Sequence, residues 1–196
     1  MTSRSPFVRI PGVVAQLEEM GRAARPRAER AVAMVRARWQ FRAVQTLGRN
    51  VAAYGPVSVH NAGEMLLGDR LTFSGGMLPS SLVCHPGGRL AIGNETQFNY
   101  GVCLEAWRSV SVGARCMFAS FVRVGDRDGL HTAPIIIEDD VWVAHGAIIM
   151  PGVRVGARSV VAAGSIVTQD VPPDTLAMGN PARNMSLELV ARDTGS

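Results

Sequence analysis

Six aliphatic residues recur at intervals of six without a break: Ile137, Val143, Ile149, Val155, Val161 and Val167. Neither regular element produces that interval, since a helix face returns every three or four residues and a strand face every two. A strict six requires a short extended stretch, a bend and another short stretch, which on repetition builds a β-solenoid. The neighbouring positions keep the phase. One residue later come Glu138, Ala144, Met150, Gly156, Ala162 and Thr168, half of them small. Four residues later come Val141, Ala147, Val153, Ser159, Ser165 and Val171, all small or β-branched. Three such hexads make a coil with three flat faces, so 137–154 and 155–172 predict two coils. Each aliphatic then points inward and stacks about 4.8 Å from its equivalent in the next coil.

The same phase runs earlier in the chain, with breaks. Ile92, Phe98 and Leu104 predict one coil and Val112, Phe118 and Val124 another, while Leu67 and Phe73, with Gly68 after the first, predict a looser one. The largest break separates Val124 from Ile137 and reads GDRDGLHTAP over 125–134. A loop that leaves a rigid scaffold at one place is where function concentrates, and this one carries His131.

Composition narrows the class. No run of eighteen apolar residues is present, so no membrane span is expected. Arg4 and Arg9 are not followed by a long apolar core, so no secretory signal is expected either. The three cysteines, Cys84, Cys103 and Cys116, have no metal-ligand spacing and read as buried free thiols in a reducing compartment, which places the protein in the cytoplasm. All twenty basic residues are arginine. Ten of them lie in residues 1–50 against Glu18, Glu19 and Glu29, a formal +7, which leaves −3 for the remainder. That region has no aromatic platform and no reader motif, so nucleic acid is not an expected partner.

Residues 13–48 read as helix, divided at Pro26. Beyond the proline, Ala31, Met34, Val35, Trp39 and Val44 share one face and Arg36, Arg38 and Arg42 lie outside it. Two uses of such a face are open: packing on the solenoid end or on a neighbouring subunit, or peripheral contact with an anionic membrane surface. An uncapped solenoid end would expose apolar residues and strand edges. The chain therefore divides into a basic helical segment at 1–50, a solenoid at 51–185 and a tail at 186–196.

The stretch WVAHGAIIMPGVRVGARSVVAAGSIVTQDVPPDTLAMGNPAR (142–183) resembles the hexapeptide-repeat acyltransferases. Within them it is similar to the branch containing maltose, galactoside and nodulation-factor O-acetyltransferases and polysaccharide O-acetyltransferases. The resemblance extends over about 55–185. It implies an all-β solenoid that is a left-handed parallel β-helix, assembled as a homotrimer with acetyl-CoA bound between subunits and no metal required. The left hand is implied by the resemblance alone, since right-handed crossovers are the general rule. Carried over to this chain, the resemblance implies a catalytic role for His131 and for Asn99 in FNYG (98–101). It further places Ala144, His145, Ala163, Thr168, Gln169 and Arg183 along acetyl-CoA. Gln169 stands where lysine is frequent and His145 where a small residue is frequent; Trp142 reads as packing.

The chemistry suits these residue types. Acyl transfer to a hydroxyl needs a base, and imidazole is poised for that task. The negative charge that develops on the thioester oxygen needs a fixed donor such as an amide. Asp126 and Asp128 either orient the imidazole, as the acid does in a Ser-His-Asp arrangement, or only hold the turn. The short HTAP run before Ile135 suggests an open acceptor site. The expected reaction is O-acetylation of a sugar or polysaccharide precursor, with a natural product or antibiotic hydroxyl as the alternative acceptor. A non-catalytic scaffold is a rival reading, but it has no need of Asn99, His131 and the GNPAR ending (179–183). A zinc hydratase resembling the γ-class carbonic anhydrases is disfavoured, because His60, His85, His131 and His145 contain no close pair.

Overall fold

The computed structural model describes residues 26–187. Six coils follow one another, each placing one strand on each of three faces. The first face holds β1 (Thr46–Leu47), β4 (Glu64–Leu67), β7 (Arg89–Ile92), β10 (Ser109–Val112), β15 (Ile135–Ile137) and β18 (Arg154–Val155). The second holds β2 (Ala52–Ala53), β5 (Thr72–Phe73), β8 (Gln97–Phe98), β11 (Met117–Phe118), β16 (Trp142–Val143) and β19 (Val160–Val161). The third holds β3 (Val57–Asn61), β6 (Ser80–Cys84), β9 (Cys103–Ala106), β12 (Arg123–Gly125), β17 (Ile148–Ile149) and β20 (Ile166–Val167). Coils pair in parallel throughout; beyond them β21 (Thr175–Gly179) extends the second face and β22 (Ala182–Ser186) folds back antiparallel on it.

The six-residue phase is the inward column of each face. Leu67, Ile92, Val112, Ile137 and Val155 are register partners on the first face. Phe73, Phe98, Phe118, Val143 and Val161 are partners on the second. Leu82, Leu104, Val124, Ile149 and Val167 are partners on the third. All fifteen are buried in one continuous core. On the second face the aromatic members stack, with ring centroids 4.8 Å apart for Phe73–Phe98 and 5.0 Å for Phe98–Phe118, matching the spacing between paired strands.

The corner between the first and second faces is a column of left-handed residues. Arg70, Glu95, Arg115, Asp140, Arg158 and Asp174 have φ between +54° and +61°. A non-glycine residue there costs about 1 kcal/mol or more, and the backbone N–H of each donates to the carbonyl of the preceding coil, as Glu95 does to Asp69 and Asp140 to Ala114. Charge alternates along the column, so arginines pair with acids one coil away: Arg70 with Glu95, Arg115 with Asp140 at 2.7 Å, and Arg158 with Asp174 at 2.5 Å.

One helix, α1 (Arg27–Gln40), precedes the solenoid, starting directly after Pro26. The expected helix over 13–48 is corrected at its far end. Helical geometry stops at Gln40, and Thr46–Leu47 is already a strand paired with β4; its 13–25 part lies outside the described residues. The expected apolar face is also corrected. Ala33, Ala37 and Phe41 face the solenoid, whereas Ala31 is exposed and Val35 and Trp39 are 71% and 69% exposed. Two alanines one turn apart bring the helix close to Ala52 and Ala53, and Phe41 then reaches Phe73 at 5.1 Å to close the aromatic stack. Among the described residues, no helix is long and apolar enough to cross a membrane.

Several acids between coils are held below their ordinary range. The Ala157 N–H and then Arg154 lower Glu138, the Arg49 N–H lowers Asp69, and Arg158 lowers Asp174. Their contribution to stability is complete above their ordinary values of 3.8 for aspartate and 4.5 for glutamate. It is lost as pH falls through the lower folded values, because the unfolded chain then binds more protons. The melting temperature is therefore expected to hold from pH 7 to 5 and to fall below pH 4; an unchanged melting temperature at pH 3 would show that these acids contribute nothing.

Candidate active site

The third face has a distinct corner along each edge. At the corner with the second face, the register continues past the strands. Asn99, Ala119, Ala144 and Ala162 are stacked equivalents, one residue beyond Phe98, Phe118, Val143 and Val161. Tyr100, Ser120, His145 and Ala163 form the next column. The Ser120 hydroxyl, on a buried residue, lies 2.8 Å from His145 Nδ1. The Phe121 ring meets His145 edge-on at 5.4 Å and Tyr100 at 5.3 Å. Room for these rings comes from two glycines: a Cβ on Gly76 would stand 2.1 Å from the Tyr100 ring, and one on Gly101, at φ +70°, would stand 2.8 Å from Phe121. Directly below His145 the corner carries Ala162, Ala163 and Gly164, a shelf with no side chain longer than a methyl group, and Met178 and Arg183 follow at its end.

At the opposite edge the chain leaves the solenoid. After β12 it forms an antiparallel hairpin of β13 (Arg127–Asp128) and β14 (His131–Thr132), in which Asp128 pairs with His131. His131 is exposed on this hairpin, which is anchored where the Ala133 N–H donates to the Asp126 carbonyl at 3.0 Å. The two aspartates left open by the sequence now separate. Asp126 is fully buried, and its carboxylate accepts the N–H groups of Trp107, Arg108 and Ser109 at 2.7, 2.7 and 2.6 Å. It therefore holds the turn of the previous coil, with both oxygens committed there. Asp128 is exposed beside the histidine.

The sequence-derived positions thus fall into two groups. Asn99, Ala144, His145 and Ala163 share the first corner. Thr168 and Gln169, exposed just beyond β20, lie along the edge from which His131 emerges. Arg183 is exposed on β22 opposite Met178, next in line to Ala162. Asn99 and His131 are not brought together within one chain, because the four-residue width of β9 lies between their edges, more than about 10 Å at ~3.3 Å per residue. Between the edges a groove of about 160 Å³ is lined by Cys103, Glu105, Arg123, Gly125, Arg127 and Asp128 among others. Trp142 is packed with Ala144 and Val160, as its reading from sequence expected. Among the described residues, no group of three or more His, Cys, Asp or Glu is placed to hold a metal ion.

Residues 134–169 match the bacterial transferase hexapeptide family, described as six repeats. That segment, 36 of the 196 residues, holds the unbroken part of the six-residue phase. A hexapeptide-repeat-containing acetyltransferase from Vibrio cholerae superposes over 94% of this chain and 93% of its own, with a TM-score of 0.52 and 26% identity. The polySia specific acetyltransferase NeuO covers 73% of this chain and 85% of its own, with a TM-score of 0.53 and 26% identity. In sequence, a 2,3,4,5-tetrahydropyridine-2,6-dicarboxylate N-acetyltransferase of Staphylococcus aureus is 41% identical over 87 residues, 44% of this chain and 34% of that protein. The chain spans about a quarter to a third of the length of the curated relatives it matches.

Two features of the site went unread in the sequence. Ser120 was accessible to the hexapeptide phase itself: Phe118 and Val143 are equivalent, so two residues on from each are Ser120 and His145. The commitment of Asp126 had no such signal, because its partners lie in a turn of irregular length. Replacing Asp126 by alanine strands three backbone N–H groups, each costing about 1–3 kcal/mol when buried without a partner. Asp126→Ala is expected to lower unfolding stability by several kcal/mol in denaturant titration, and a loss under about 1 kcal/mol would show that water replaces the carboxylate.

Proposed function

We propose that this protein is a CoA-dependent O-acyltransferase that moves an acetyl group from acetyl-CoA to a hydroxyl of a saccharide. One observation carries the reading: the principal break in an otherwise regular wall ejects a hairpin bearing an exposed histidine, beside a face whose other edge is a shelf of alanine and glycine. The names of the superposed Vibrio cholerae protein and of NeuO support acetyl transfer, and the latter supports a saccharide acceptor.

In this mechanism the His131 imidazole takes the proton of the acceptor hydroxyl as its oxygen attacks the thioester carbonyl carbon. The tetrahedral intermediate collapses with cleavage of the C–S bond, and the imidazolium returns the proton to the departing CoA thiolate. Asn99 supplies an amide to the acceptor or to the oxyanion. Ala144, His145, Ala163, Thr168, Gln169 and Arg183 are the proposed donor contacts, with Arg183 suited to a CoA phosphate. Direct transfer is favoured over a thioester on the protein. Burial raises the thiols of Cys84 and Cys103 and pushes Cys116 up to about 12, so none is a ready thiolate. The three free cysteines suit a reducing compartment, and we place the reaction in the cytoplasm.

Asn99 and His131 lie on opposite edges of the third face, so a single centre containing both needs one edge of each copy to meet the other edge of the next. A closed ring satisfies this with equivalent sites, and we propose a homotrimer. His131→Ala is expected to bind CoA with near-native affinity and to lose about 10²–10⁴ in turnover; turnover within twofold of the parent would refute the base. Co-expressed His131→Ala and Asn99→Ala chains, each inactive alone, are expected to recover about a quarter of parental activity by pairing intact edges in a mixed ring. No recovery in purified mixed oligomers would refute a site shared between copies.

A further inference from the structure

Most arginines of the solenoid are tied to acids, and those of the groove on the third face are not. Arg49, Arg70, Arg89, Arg115, Arg154 and Arg158 each pair with an acid on a neighbouring coil. Arg123 and Arg127 line the groove, and among the described residues neither has a carboxylate partner. Arg127 is nonetheless held in place. Its Nε donates to the Gly129 carbonyl at 3.0 Å, and its guanidinium lies 4.2 Å from the centre of the Trp107 ring. Trp107 is itself fixed, stacked on His85 at 3.4 Å, while its indole N–H donates to Glu105 at 3.1 Å. Glu105 also meets His85 Nε2 at 2.7 Å. A guanidinium with an aromatic stack, a backbone tether and no salt bridge is a pre-organised fork for an anion.

Gly125 lies between the two arginines. It is the last residue of β12, its φ is outside the left-handed region, and a Cβ there would meet nothing within 4 Å. Its neighbours in the same outward column are Glu105 before it and Met150 after it. A glycine weakens a strand relative to alanine, and neither backbone geometry nor packing within the chain requires this one. Its effect is to leave the groove floor bare between Arg123 and Arg127, as where a ligand approaches the backbone closely. The hairpin bearing His131 springs from this floor.

We infer that Arg123, Gly125 and Arg127 form an anion subsite that receives a carboxylate of the acceptor, so that the saccharide is an acidic one. This rests on the acetyl-transfer reading for the word acceptor; the anion site rests only on the groove. The chemically equivalent occupant is a phosphate of the donor. The acceptor is favoured because Arg127 stands on the same hairpin as His131, the group proposed to take the acceptor's proton. Arg123 and Arg127 hold the carboxylate, while Glu105 and Asp128, on the same groove, accept hydrogen bonds from ring hydroxyls.

The test compares methyl glucuronide with methyl glucoside, which differ in the carboxylate, using the full chain, acetyl-CoA, and Arg123→Gln and Arg127→Gln variants whose melting temperatures match the parent. The parent is expected to show at least a tenfold lower KM for the glucuronide. Each variant is expected to raise that KM about tenfold, with kcat within twofold, the glucoside unaffected and CoA affinity unchanged in calorimetry. Weakened CoA binding with unchanged glucuronide KM would overturn the assignment in favour of a donor phosphate. Equal use of the two acceptors would overturn the anion subsite while leaving acetyl transfer intact. If no acceptor is acetylated, NMR titration with methyl glucuronide decides separately. Arginine-dependent binding would uphold the subsite and refute the acetyl-transfer reading, and no binding would refute the subsite as well.

Discussion

Everything in this molecule depends on each coil pairing with the next in register. Strands of two residues, such as β8, β11 and β16, have no stability of their own. They persist because the backbone of each pairs with the coils on either side and each inward side chain lies over its equivalent. The constraint is one of phase rather than of residue type, which is why phenylalanine, valine and alanine follow one another along the second face. An insertion is tolerated only if the chain returns to the same register. The 125–134 excursion does so: Val112 still faces Ile137, and Val124 still faces Ile149.

The three corners meet this constraint by different means. Between the first and second faces, charged residues in left-handed geometry alternate in sign, and each bends the chain while reaching an acid or a guanidinium on a neighbouring coil. Surface pairs of this kind contribute little singly, about 0–1 kcal/mol, but their alternation disfavours a slipped stack, which would bring like charges together. Between the second and third faces the corner is split, with aromatic rings and His145 above and bare alanine and glycine below. Between the third and first faces, Asp126 gathers three N–H groups and so fixes the root of the hairpin that carries His131. A histidine on a hairpin is only as well placed as that root, so a buried structural carboxylate determines where the proposed base stands.

Both the successes and the misses of reading the sequence follow from phase. The coils, their inward residues and the loop were legible because a six-residue period has one physical cause. The pairing of Ser120 with His145 was legible on the same ground, as the second residue past two equivalent positions. The face of α1 was not. Helical periodicity identifies Val35 and Trp39 as well as it identifies Ala33 and Ala37, and close approach to Ala52 and Ala53 selected the small pair. Helical propensity beyond Gln40 was overridden for a related reason, since pairing with β4 claims the backbone at Thr46–Leu47.

By itself the sequence determined the solenoid, the phase of its core and the residue types available to the proposed acyl transfer, because these depend on order along the chain. Only the tertiary structure decided which of them meet. It committed Asp126 to a turn rather than to His131, set Asn99 and His131 on opposite edges of one face, and left Arg123 and Arg127 without salt bridges around a bare glycine. Such contacts join residues on different coils, across turns and insertions of unequal length, and their distances are set by the stacking of the coils rather than by spacing in the sequence.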